Sequence, residues 1–229
     1  MTFDQIKDQL QTGDVVLFNS SFQSSKIIET VTGFPFSHSA MVVRMPDGAL
    51  NMWEATPTGE LTCQLDQTNH PGARLVDLET VTREYAKNTY WKTVFRSLVI
   101  DRTTDFWAAA VDRLSSVMTQ FNRLQFPSDP QMLLAYFEGK VLDVASTDEF
   151  VFCSELVAKT YMTMGLLAQT PVANSYAPGA FCNANESLAL LTGALGGQLE
   201  VDWPQAALLA MDSVATGPNK FELTPAERR

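Results

Sequence analysis

The stretch from Gly33 to Thr56, GFPFSHSAMVVRMPDGALNMWEAT, constrains the fold more than any other part of the chain. Two apolar-rich runs, Ala40 to Arg44 and Leu50 to Glu54, flank Pro46-Asp47-Gly48, a pattern that predicts a β-hairpin. Proline presets the first turn position, aspartate suits the second, and glycine accepts the positive φ of the third. A three-residue loop with a type I turn and a bulge is therefore expected. Such a loop pairs Met45 with Ala49, which sets Ala40 opposite Glu54 and His38 opposite Thr56. His38 and Glu54 then share a face as a diagonal pair, about 7–8 Å apart at the backbone and within reach of each other. A two-residue loop would put them on opposite faces.

A histidine oriented by a carboxylate is half of a nucleophilic site, because the carboxylate fixes the tautomer and stabilises the imidazolium. The other half should be a cysteine or serine elsewhere, and Cys153 in DEFVFCSELVAKTYMTMG is the best candidate. Leu156, Val157, Thr160, Tyr161 and Met164 fall at helical spacing there, and Gly165 supplies a stop. Thr147 or Asp148 could cap this helix, or it could begin nearer Cys153 after an extended Phe150–Phe152 lead-in. In the second case the helix N-terminus favours a Cys153 thiolate. Residue type alone also allows a buried structural cysteine.

A net charge of −10 and a pI near 4.6 argue against a nucleic-acid partner and against tight adhesion to anionic lipid. Hydrophobic content of 45% with 18% charge fits a globular chain of one domain. The expected division is a catalytic domain over residues 1–215 and a polar tail over 216–229. The opening MTFDQIKDQLQTGD has no apolar signal core, and no run is long enough to cross a bilayer. Cys63, Cys153 and Cys182 form neither a disulfide framework nor a CxxC pair, so a reducing, cytoplasmic location is expected. His38 and His70 are the only histidines. A His-rich zinc site is thus not expected, and no metal or cofactor is implied.

In chain order, the pattern predicts a helix over about 3–11, a strand Val15 to Phe18, and a helix Phe22–Val31 ended by Gly33. Phe34 and Phe36 either line an apolar substrate pocket or close the core over the hairpin. With Ser37 and Ser39, which flank His38, they are the candidate substrate-binding residues. The segment Thr58–Gly72 reads as a loop or short edge strand carrying Cys63 and His70. His70, in Asn69-His70-Pro71-Gly72, reads as a solvated loop histidine. A strand Arg74–Asp77, a helix Leu78–Ala86 and a strand Trp91–Ile100 should follow. Next come a helix over about 105–125 capped by Thr103 or Thr104, and one from Ser128-Asp129-Pro130 ending near Gly139. Beyond Gly165, Asn183–Leu195 and Pro204–Ala215 are expected to be helical.

The order of these features resembles the permuted papain-like members of the NlpC/P60 superfamily, in particular the YiiX/YaeF-like group. The matching pieces are Gly13-Asp14-Val15-Val16-Leu17-Phe18, then Ser37-His38-Ser39-Ala40-Met41-Val42-Val43. Trp53-Glu54-Ala55, the Ala73–Leu98 connection and Phe152-Cys153-Ser154-Glu155-Leu156-Val157 complete the set, which spans roughly Thr12 to Gly165. The resemblance implies an α+β, circularly permuted papain-like fold, with a small antiparallel sheet packed against helices. It also implies Cys153 as nucleophile, His38 as general base and Glu54 as the residue orienting it. The expected activity is thiol hydrolysis of an amide or ester in a peptide or lipid-like substrate. An acyltransferase with the same site and a non-catalytic binding scaffold are the alternatives. Cys63 with His70 is a further candidate pair, with only sequence proximity behind it.

Overall fold

A computed structural model of the chain describes residues 1–19, 33–89, 92–147, 149–182 and 188–203. The expected Phe22–Val31 and Pro204–Ala215 helices and the 216–229 tail lie outside these residues. The fold is α+β: one six-stranded antiparallel sheet of order β4-β3-β2-β1-β5-β6, with helices on both faces. The strands are β1 (Val15–Asn19), β2 (His38–Arg44), β3 (Leu50–Thr56), β4 (Gly72–Asp77), β5 (Lys92–Val99) and β6 (Ala194–Val201). Among the described residues, no helix is long and apolar enough to cross a membrane.

The hairpin register is the expected one. Met41 pairs with Trp53 and Arg44 with Leu50, while the Met45 N–H donates to Ala49 O at 2.9 Å. Gly48, at φ 90°, supplies the left-handed position and its N–H returns to Met45 O at 2.9 Å, the three-residue loop geometry.

The period-2 alternation splits the sheet side chains between two cores. Val15, Leu17, Met41, Val43, Trp53 and Leu75 face α3 (Asp105–Phe121) and α5 (Cys153–Met164). Val16, Phe18, Ala40, Val42, Met52 and Phe95 face the other way, with α1 (Phe3–Ile6) and α2 (Leu78–Thr89). Helix α5 is buried nearly all round and central. Trp53 Nε1 donates to Thr160 Oγ1 at 3.2 Å, and the Tyr161 hydroxyl donates to Gly13 O, fixing α5 to the sheet.

Several boundaries differ from the sequence expectation, each through tertiary hydrogen bonds. Helix α1 stops at Ile6 rather than near residue 11, because Arg44 draws in the carbonyls of Lys7 (2.9 Å) and Leu10 (2.8 Å). Helix α3, N-capped by Thr104, one of the two expected caps, ends at Phe121 rather than near 125. Residues 123–125 instead pair with the start of β4: the Ala73 N–H donates to Leu124 O and the Arg123 N–H to Ala73 O, both at 2.8 Å. Helix α4 (Asp129–Leu142) passes through Gly139, whose missing side chain admits the Asn174 amide. The expected Asn183–Leu195 helix is incorrect where it can be compared. Ala194 and Leu195 begin β6, which adds to the β5 edge, and Arg96 donates to Leu195 O and Gly196 O at 2.8 Å. The leucine-rich composition there suits either period, and pairing decides it.

Gly72 positions the lead-in to Cys153. It sits at φ 88°, and a Cβ on it would lie 2.1 Å from Leu124 O. Residue 125 in turn bridges to Phe150, and the Val151 N–H donates to Gln125 O at 2.9 Å. Gly72→Ala combines left-handed strain with a backbone clash, so it should cost at least about 2 kcal/mol. Urea unfolding measures this, and a loss below about 0.5 kcal/mol would mean the 123–125 segment moves aside freely.

Candidate active site

Three elements meet at the end of the sheet where β2 begins. His38 is the first residue of β2, beside Phe18 of β1 in register, and shares the α2 face of the sheet with Glu54. Its ring lies 5.5 Å from that of Phe18 and 5.8 Å, edge-on, from that of Tyr85 on α2. Two aromatic neighbours restrict its rotation. Cys153 is the first residue of α5, after the N-cap Phe152, so the later of the two helix starts is the observed one. Although α5 packs on the opposite face, Cys153 at its N-terminus interacts with His38, and each favours the charged form of the other.

His38 Nε2 lies 3.0 Å from Glu54 Oε2, which leaves Nδ1 as the nitrogen for Cys153. Glu54 is fully buried. Its other oxygen accepts from Arg74 Nε at 3.1 Å and Nη2 at 2.9 Å, while the Tyr85 hydroxyl donates to Oε2 at 2.8 Å. Burial pushes the Glu54 carboxyl up, but His38, Arg74 and Tyr85 together hold it below its ordinary value. Burial would depress His38, yet Cys153 and Glu54 outweigh it and push the imidazole up to about 9. Burial likewise raises the Cys153 thiol. The bond and charge of His38, with backbone N–H groups of Ser39 and Ser154, more than offset this and hold it below its ordinary value. These directions favour a thiolate–imidazolium pair at neutral pH.

Glu155 completes the local design. Its buried carboxylate accepts from the Ser146 hydroxyl and meets Lys159 Nζ at 3.2 Å. The i,i+4 pair braces the first turn of the helix, which presents Cys153.

The other candidates are placed as follows. Phe36 is 3% exposed and belongs to the core, so it closes the fold over the hairpin and is not an open pocket wall. Phe34 is half-buried against Gly179. Ser37 and Ser39 are buried, and neither Oγ has a hydrogen-bond partner among the described residues. Cys63 and His70 do come together, but His70 is not a solvated loop histidine: only 12% of its side chain is exposed.

Arg74 and Tyr85 escaped the sequence reading. Arg74 faces Glu54 across the β3–β4 pair. The long 57–71 connection carries no turn chemistry to set that register. Tyr85 occupies a helix whose docking against the sheet no local pattern specifies.

No protein-family model and no curated protein matches the sequence. Among solved structures, the metalloprotein YiiX of Escherichia coli O157:H7 matches over 86% of this chain and 99% of its own, with 16% identity and a TM-score of 0.47.

Proposed function

We propose that this chain is a thiol hydrolase of the permuted papain-like kind, cleaving an amide or ester through a Cys153 thioester. One observation carries the proposal: a helix-terminal Cys153 interacts with His38, whose Nε2 lies 3.0 Å from a buried Glu54 that is held below its ordinary pKa. A purely structural cysteine needs no partner held in that way. The three cysteines are buried and unpaired, which suits a reducing, cytoplasmic setting.

In the proposed reaction the Cys153 thiolate attacks the acyl carbonyl carbon, and the carbonyl oxygen takes the negative charge. The N–H groups of the first turn of α5, which have no helical acceptor, are the natural donors to that charge. As the tetrahedral intermediate collapses, imidazolium His38 gives its proton to the departing amine or alkoxide, leaving the thioester. Neutral His38 then takes a proton from water, whose oxygen attacks the thioester. Collapse expels the thiolate and the acid product, restoring the starting pair. Glu54 keeps one tautomer of His38 and stabilises its cation. Phe34, four residues before His38, is the apolar group available to an acyl portion. The charge of −10 disfavours polyanionic substrates.

The pH dependence tests the pair before any substrate is known. Cys153 should be alkylated by iodoacetamide well below the ordinary thiol range of about 8.5, and His38→Ala should abolish that reactivity. Raising the pH through about 9 removes the imidazolium proton, so hydrolysis should fall on the alkaline side for want of an acid. On the acid side it should fall as the thiolate is protonated. Alkylation of Cys153 no faster than that of Cys182 across this range would leave the fold as a binding scaffold.

A further inference from the structure

We propose that Cys63, Asp66 and His70 form a mononuclear site for a thiophilic divalent metal of the zinc class, separate from Cys153 and beyond the hydrolase reading. Their ligand atoms lie within 4.8 Å of one another. The loop is built to hold them inward. The Cys63 N–H donates to Thr68 O at 2.8 Å and the Gln67 N–H to Cys63 O at 2.9 Å, with Gln67 at φ 57° and Thr62 bridged to Asn69.

His70 points to a cation. Its Nδ1 lies 2.9 Å from Pro71 O, and a carbonyl can only accept, so Nδ1 carries a proton. This is how a metal-binding histidine is usually held, with its other nitrogen free to coordinate. That other nitrogen, Nε2, is buried without a hydrogen-bond partner among the described residues, 3.4 Å from Asp66 Oδ2. Asp66 does not need His70 as its counter-charge. Oδ2 already accepts from Asn122 Nδ2 at 2.8 Å and Arg123 Nε at 2.7 Å, and Oδ1 from the Thr68 hydroxyl at 2.7 Å. In the neutral imidazole the Nε2 lone pair faces a carboxylate oxygen, an arrangement that a bound metal ion would bridge.

Cys63 supplies the soft donor. It is fully buried, and its thiol donates to Asn122 Oδ1 at 3.4 Å. On binding, the thiol proton leaves to solvent, the thiolate takes the metal, and Asn122 Oδ1 is freed as an oxygen donor for the fourth position. Thiolate, imidazole and carboxylate together suit zinc, with about 2.3 Å to sulfur and about 2.0–2.2 Å to nitrogen and oxygen. The ion would clamp the 57–71 loop to the end of α3, next to the segment that positions Cys153.

Titrating the full chain with Co²⁺ tests this, because a thiolate–cobalt bond gives a near-ultraviolet charge-transfer band. The band should saturate near one equivalent in wild type and in Cys153→Ala, vanish in Cys63→Ser, and need at least tenfold more metal in His70→Gln. Zn²⁺ should displace it. A band that survives Cys63→Ser or disappears in Cys153→Ala would move the site elsewhere, and no band in wild type would remove it. Should Cys63→Ser fail to fold by circular dichroism, His70→Gln decides alone: an unchanged titration overturns the site.

Discussion

Cys153→Ala should reduce hydrolysis of simple activated esters and amides by on the order of 10⁴-fold or more, while the chain stays folded. The size of the effect follows from the role. No other group at the site can form the thioester, and His38 without a nucleophile beside it activates water far less effectively. What remains is the modest help of the α5 N–H groups and of substrate binding. The fold should survive because the lost atom is small. His38 keeps Glu54, and the α5 contacts of Trp53 and Tyr161 do not involve Cys153. Intact-protein mass spectrometry should catch the acyl group on wild type during turnover, with peptide mapping assigning it to Cys153. Activity within tenfold of wild type in Cys153→Ala, or an acyl group on Cys63 or Cys182, would end the thiol-hydrolase proposal. Adding an amine or alcohol acceptor separates hydrolysis from acyl transfer in the same assay.

The geometry of His38 and Glu54 was legible in the sequence because a tight hairpin is a local object. Pro46, Asp47 and Gly48 set the turn, the turn set the register, and the period of two set the shared face. The start of α5 at Cys153 was legible only as one of two choices. The observed N-cap, Phe152, carries no side-chain oxygen to mark a helix start, whereas Thr147 and Asp148 do. The extent of the sheet was not legible. Strand β6 joins through Arg96, far away in the chain, and its Leu-Gly-Gly sequence carries no strand period. Nor was the burial of His70 legible, since Asn-His-Pro-Gly has the composition of an exposed turn whatever the loop folds back upon. For β6 and His70 the missing information is a long-range contact that no local pattern encodes.

Arg74 is the clearest such contact, and Arg74→Met should destabilise the fold by about 3–5 kcal/mol, the cost of leaving a buried charge without its partner. Glu54 and Arg74 are both buried, and the guanidinium supplies two of the hydrogen bonds that keep Glu54 ionised. Methionine fills much of the same volume, so the loss reports charge more than packing. The pH dependence identifies the cause. Glu54 is held below its ordinary value in the folded state, so its ionised form adds stability above the unfolded carboxylate pKa of about 4.3, and that contribution fades as pH falls through the folded value. Without Arg74 the carboxyl rises, and protonating it relieves the orphaned charge. Urea unfolding should therefore show the largest gap between wild type and Arg74→Met near neutral pH, narrowing as the pH is lowered. Glu54→Gln in the Arg74→Met background should recover part of the loss, although turnover would stay low because His38 no longer faces an anion. A cost under about 1 kcal/mol, or a gap unchanged by pH, would mean that His38 and Tyr85 alone keep the carboxylate charged. Arg74 would then be incidental to the electrostatics of the site.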